Sequence, residues 1–308
     1  MVIVRTAITK AKARLDCDDW IIDQYAQALE HASKFPRLRG ITLSLSYFDR
    51  ISLESPDFDW WVTHVGLVPA FRVLRELFLV AANTTLEQLE LQGVPPLYTT
   101  FTRALFFEQS MRTIEDLKLH FDYWYCDDTF DGNFDDPLPD TPAGTRAQHF
   151  TSNISEWVGH SQDVLKRLSL SFESYVGYYP KLDFHGLYYP RLKVLELTCI
   201  TVSHNAQISW ILQHAATLTT LKLEDCPVIV RATTRMELDA DDHPIAGELA
   251  DQETSILMNL TWHSILTRLC QLLHLRHFEL VFTSMDPDVT GVCVGLHTCR
   301  TRRTFTVS

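Results

Sequence analysis

The sequence predicts an α/β fold: an irregular solenoid with a parallel sheet on its concave side and helices on its convex side. Three observations lead there. The spacing L-x-x-L-x-L, with Ile or Phe allowed, returns seven times. Three of the six intervals between copies are 26, 27 and 28 residues long. The segments between copies carry apolar residues near helical spacing.

The copies are Leu38/Ile41/Leu43, Leu86/Leu89/Leu91, Ile114/Leu117/Leu119, Leu165/Leu168/Leu170, Leu192/Leu195/Leu197, Leu218/Leu221/Leu223 and Leu275/Phe278/Leu280. The short intervals have the length of one leucine-rich repeat. The others, 48, 51 and 57 residues, are near twice that and hold insertions or degenerate units. The copy nearest the consensus is "TLTTLKLEDCPV", where Cys226 and Val228 continue the pattern. On a strand, alternate side chains share a face, so Leu221 and Leu223 turn inward while Thr220, Lys222 and Glu224 turn outward. One such strand buries little alone, and stacked neighbours make a continuous core.

The elements follow in order. "DDWIIDQYAQALEHASKF" opens on an N-capping Asp and predicts a capping helix over 18–34, so 1–34 form a tail and cap. "VPAFRVLRELFLVAA" holds an eighth match, Leu74/Leu77/Leu79, only 12 residues before Leu86, and reads as a helix feeding that strand. "TTFTRALFFEQSMRTI", "ISWILQHAAT" and "SILMNLTWHSILTRLCQLLH" read as helices as well. Pro36 and Pro190 each stand two residues before a repeat leucine, where a helix or loop must stop. The solenoid spans 35–285, with acidic insertions near 120–145 and 236–253. Residues 286–308 leave the pattern and turn basic, as a C-terminal tail.

Composition excludes several classes. The net charge is −12, from 39 acidic and 27 basic residues, which argues against nucleic-acid binding. No apolar run approaches the ~20 residues of a membrane span. The seven cysteines are widely spaced with no CxxC pair, which reads as reduced thiols in a cytoplasmic or nuclear protein. No hydrolase, metalloprotease or nucleotide-binding signature occurs, so no enzyme activity and no cofactor is expected. A hydrolase built from scattered Asp and His is the remote alternative. The 13 histidines show no paired ligand spacing; His204, five residues from Cys199, and His214 read as core or surface residues, not as a metal site.

Other segments invite a functional reading. In 120–145, seven aspartates interleave with Phe121, Tyr123, Trp124, Tyr125, Phe130 and Phe134. Asp127, Thr129, Asp131, Gly132, Asn133 and Asp135 imitate a calcium loop, but Leu138 stands where the closing Glu belongs. The segment reads as a solvated loop with its aromatics folded onto the domain edge, or as a docking loop. Residues 236–253 hold seven acids and no Lys or Arg, which predicts disorder. Tyr175, Tyr178, Tyr179, Tyr188 and Tyr189 form either a sticky rim or a packed loop.

The outward strand positions say more. Between the last two leucines stand Glu90, Lys118, Ser169, Glu196, Lys222 and Glu279. After the first leucine stand Glu87, Glu115, Lys166, Lys193, Thr219 and Arg276, a series passing from acidic to basic. We expect Lys166, Arg167, Lys193, Glu196, Lys222 and Arg276 to form a protein-binding site, with Lys193 and Lys222 alternatively serving only to pair with Glu196 and its neighbours.

On "PRLKVLELTCI", "ILQHAATLTTLKLEDCPV" and "HLRHFELVF", the chain resembles the leucine-rich-repeat portion of fungal F-box proteins, loosely over 35–285. The resemblance implies that the repeats hold a protein partner. In that family an N-terminal F-box docks onto a ubiquitin ligase. Its opening Leu-Pro pair is not found in the 34 residues before the first strand-like segment. The function expected is therefore non-catalytic protein–protein recognition; the alternative is a ubiquitin-ligase substrate receptor that docks by another element.

Overall fold

The computed structural model describes residues 24–44, 67–94, 102–121, 151–282 and 305–307, apart from 25–26, 30, 32–33, 35–36, 103 and 152–153. Its centre is an eight-stranded sheet. Seven strands run parallel in chain order: β1 (Gly40–Ser44), β2 (Gln88–Val94), β3 (Asp116–Phe121), β4 (Arg167–Val176), β5 (Val194–Ile200), β6 (Thr220–Glu224) and β9 (His277–Val281). The eighth, β10 (Phe305–Val307), pairs antiparallel with β9.

The seven copies of the leucine spacing are these seven strands. Ile41, Leu89, Leu117, Leu168, Leu195, Leu221 and Phe278 stand opposite one another, strand after strand. Leu43, Leu91, Leu119, Leu170, Leu197, Leu223 and Leu280 make a second row two residues on. Both rows belong to one core; Phe278 is only partly buried there. A pairing slip of one residue would turn both rows to water, so the pattern itself holds the register.

Among the described residues, five helices lie between these strands: α1 (Leu67–Ala82), α2 (Leu105–Met111), α3 (Ser155–Val158, continued by a 3₁₀ turn over Gly159–Ser161), α4 (Asn205–Leu212) and α5 (Trp262–Leu272). Leu74, Leu77 and Phe78 of α1, Phe107 of α2, Trp157 of α3, Ile208 and Ile211 of α4, and Ile265 and Leu269 of α5 all enter the core of the strand leucines. The eighth leucine match is thus helical, as its closeness to Leu86 requires. Full burial of one such side chain contributes about 1.5–3 kcal/mol.

The backbone repeats further than the leucines do. Two residues after the last leucine of a triplet, Gly93, Cys199 and Asp225 adopt left-handed conformations, with φ of 71°, 58° and 48°. The turn places Val94, Ile200 and Cys226 back in the core. It also allows Val202 and Val228 to form one more parallel bridge. Position in the repeat, not residue type, selects this conformation, since only one of the three is glycine.

The long intervals hold insertions, because β1 pairs directly with β2, β3 with β4, and β6 with β9. Residues 236–253 correct the sequence reading. They are not disordered: β7 (Arg231–Leu238) and β8 (Pro244–Leu257) form an antiparallel hairpin. Ala232, Ile229 and Met258 join Tyr178 in a small separate core. The acidic composition hid this arrangement. The helix expected over 255–274 is also shortened: Ser255 to Leu257 finish β8, and α5 begins at Trp262, after the capping Thr261 hydroxyl accepts from the Ser264 amide.

In the C-terminal tail, 305–307 rejoin the sheet, which the sequence reading had not placed. Of the capping helix, Gln24, residues 27–29 and His31 are helical, and Leu29 is buried in the main core. The calcium-like run, the aromatics of 123–134 and residues 286–304 lie outside the described residues. No helix among the described residues is long and apolar enough to cross a membrane.

A charged face on the parallel sheet

With leucines on one side, the intervening residues leave the sheet on the other. Every described helix packs on the leucine side. The opposite face is a grid in which strand register sets the charge neighbours.

In the middle row, Glu90 stands opposite Lys118, and Glu196, Lys222 and Glu279 follow on adjacent strands. Lys118 lies 3.9 Å from Glu90. Two residues earlier, Arg167 lies 3.7 Å from Asp116, and it also lies 3.6 Å from Glu196 of the middle row. Burial pushes the Asp116 carboxyl above its usual range, while Arg167 and Lys118 pull against it. One Asp116 oxygen is buried without a hydrogen bond. Lys222 turns along its own strand to Glu224 at 2.8 Å, and that hydrogen bond raises its pKa against partial desolvation.

The row at the strand entries has its own backbone device. The carbonyls of Arg39, Glu87, Glu115, Lys166, Lys193 and Thr219 each accept two successive amides from the next strand. Their side chains pair unevenly. Arg39 meets Glu87 at 2.5 Å and Lys166 meets Glu115 at 2.6 Å. Lys193 and Arg276 are exposed, and neither pairs with a carboxylate among the described residues.

Of the six residues expected at the binding site, Arg167, Glu196 and Lys222 stand on this face, and Lys166, Lys193 and Arg276 stand just before the strands, at their entries. Lys166, Arg167, Glu196 and Lys222 are tied into ion pairs with their neighbours. Lys222 pairs with Glu224, one of the neighbouring acids that the sequence offered beside Glu196. Lys193 has no such tie. The acidic half of the entry series is neutralised by Arg39 and Lys166, so unpaired positive charge collects at the β5–β9 end. Exposed pairs of this kind contribute about 0–1 kcal/mol, so the grid is organised more than it is strong.

Of the two readings of the tyrosine segment, a sticky rim or a packed loop, packing holds for four of the five rings. Tyr189 is fully buried, its amide donating to His214 Nε2 at 3.1 Å, and Tyr178 is buried as well. Tyr175 and Tyr179 are partly buried, and Tyr188 alone of the five is exposed.

Sequence reasoning missed one cluster. His204, just before α4, packs against His243 of the hairpin with ring centroids 4.2 Å apart and the rings tilted by 32°. Lys181, after β4, reaches Asp239 at 2.7 Å and Asp241 at 3.1 Å. Nothing in the local sequence joins these residues. Among the described residues no three His, Cys, Asp or Glu side chains come together as metal ligands. Comparison with known proteins gives no family: no family model, no curated protein and no solved structure matches this chain.

Proposed function

We propose that the chain is an irregular leucine-rich-repeat solenoid that recognises a protein partner on the leucine-free face of its parallel sheet, without catalysis. One observation carries this reading: that face presents a registered grid of paired charges, and at its strand entries Lys193 and Arg276 are exposed and pair with no carboxylate among the described residues. Partly desolvated, internally paired charges are preorganised, and free cations beside them supply electrostatic attraction and register for an incoming polar surface. The repeat assignment is supported by Cys226, whose thiol lies within donating distance of the Leu197 carbonyl of the preceding strand, at 3.4 Å, and of the Glu224 carbonyl, at 3.3 Å. A polar or thiol group at this consensus position ties one repeat to the next. The ligase-receptor alternative rests on the F-box resemblance alone.

The test is affinity capture from a native extract with the wild-type protein and with Lys193→Glu/Arg276→Glu, both checked for fold by circular dichroism. The reading expects partners that bind the wild type, weaken with salt and are lost from the double variant. A folded double variant that keeps every partner at unchanged affinity overturns it. Ligase subunits among the lost partners would select the receptor alternative.

A further inference from the structure

We propose that the β7–β8 hairpin is an acid-released arm, held against the body at the contact between His204 and His243 and freed when these imidazoles take up protons. The hairpin has its own contact surface, separate from the main core. Its apolar part is the small cluster of Tyr178, Ile229, Ala232 and Met258, with Tyr179 and Ile256 packed beside it. Its polar part is gathered around His243, which is 5% exposed.

Three elements meet there, and each brings charge. The hairpin turn supplies Asp239, Asp241 and Asp242. The loop after β4 supplies Lys181 and the Tyr178 ring and carbonyl. The chain before α4 supplies His204, whose Nδ1 lies 2.7 Å from the Ser203 hydroxyl. The Tyr178 carbonyl can only accept, so His243 Nδ1, 3.1 Å away, carries the proton of the neutral ring. Acid must then protonate Nε2.

Two imidazolium ions in contact and shielded from water are costly. Net charge does not decide the outcome, since three carboxylates would face Lys181 and two imidazolium ions. Burial pushes the His243 pKa down to about 4, with the Tyr178 carbonyl opposing and His204 and Lys181 adding to the shift. Burial lowers His204 too, against Asp242 and Asp241. Burial pulls the Asp239 carboxyl upward, but hydrogen bonds from Lys181 and from the His243 and Asp241 amides outweigh it and hold its pKa below the usual value. Between pH 7 and 5, therefore, docked His243 stays neutral where a released imidazole would take up a proton, while the Lys181–Asp239 tie stays charged.

The sign follows from linkage. A released His243 binds its proton near its ordinary 6.5, and a docked one only near 4. Docking is at full strength above pH 6.5, weakens as pH falls through that value, and levels off below about 4. For His243 alone the docking constant falls about 30-fold between pH 8 and pH 5.

Hydrogen exchange of the full chain at both pH values, corrected for intrinsic rates, tests this. Peptides from 231–257 should lose about 30-fold protection at pH 5 while β4, β5 and β6 keep theirs. His243→Phe should hold the hairpin equally at both pH values. Unchanged hairpin protection overturns the proposal. So does a joint loss with the central strands, or a pH effect that survives His243→Phe. If His243→Phe leaves the hairpin unprotected even at pH 8, an NMR titration of wild-type His243 decides: a pKa near 4 supports the arm, and one at or above 6.5 overturns it.

Discussion

Cys226 follows β6 and Leu197 lies on the adjacent strand β5, and the Cys226 sulfur stands 3.4 Å from the Leu197 carbonyl oxygen. The sulfur is fully buried, and burial pushes the thiol pKa up to about 12. A thiol that cannot ionise cannot react. With iodoacetamide at pH 8, Cys270, which is exposed, should be labelled in the folded protein, and Cys226 only after unfolding. Equal labelling of both in the native state, read by mass spectrometry, would contradict the buried ladder position.

Leu195 and Leu221 face each other across β5 and β6 with no exposed surface. Leu195→Ala or Leu221→Ala should each lower unfolding free energy by about 2–5 kcal/mol. Leu275, only partly buried at the same face, should cost less when truncated. Denaturant melts check the ranking, and a loss below about 1 kcal/mol at Leu195 would mean that the row is not core.

Two glycines with positive φ should respond differently to alanine. At Gly177, with φ of +127°, an added Cβ would lie 2.3 Å from the Thr201 carbonyl oxygen, which the neighbouring strand holds in place. Gly177→Ala should cost about 3 kcal/mol or more. At Gly186, with φ of +75°, the same methyl meets open space. Gly186→Ala should cost about 1–2 kcal/mol, from backbone strain alone. Thermal melts of both variants measure the difference, and equal losses would show that the contact at Gly177 yields.

The hairpin should be removable. Its ends are already adjacent, since the Met258 amide bonds to the Val230 carbonyl at 2.9 Å. Replacing 231–257 by a short Gly-Ser link should leave the parallel sheet folded, with near-native circular dichroism and a cooperative melt. Loss of cooperativity would show that the hairpin is structural.

The parallel sheet was legible because its cause is a spacing. Leucines two apart on a strand must share a face, and seven copies at repeat-length intervals or about twice that leave little choice of partner. The hairpin was illegible because acids at Glu237, Asp239, Asp241 and Asp242 dominate its composition, while its buried side, Ala232 and Met236, is small and intermittent. The β10 strand pairs through backbone amides, which no side-chain pattern marks. On the charged face the six residues could be named from their offsets. Which of them would be neutralised depended on register: Arg167 between Asp116 and Glu196, Lys193 beside none. The His204–His243 contact joins an inserted hairpin to a distant loop, and only the folded chain brings the rings together.

The spacing of the strands along the chain also governs how the sheet can assemble. From β4 to β6 each strand finds its partner after only 26 or 27 residues, with one short helix at most between them. On either side the next partner lies 51 or 57 residues away. Closing a longer loop costs more chain entropy and slows pairing. The β4–β6 segment is thus the natural nucleus. Growth outward stalls at β3 and β9 until each insertion has been looped out, so a chain caught partway should expose the flanks of β4 and β6 as open strand edges.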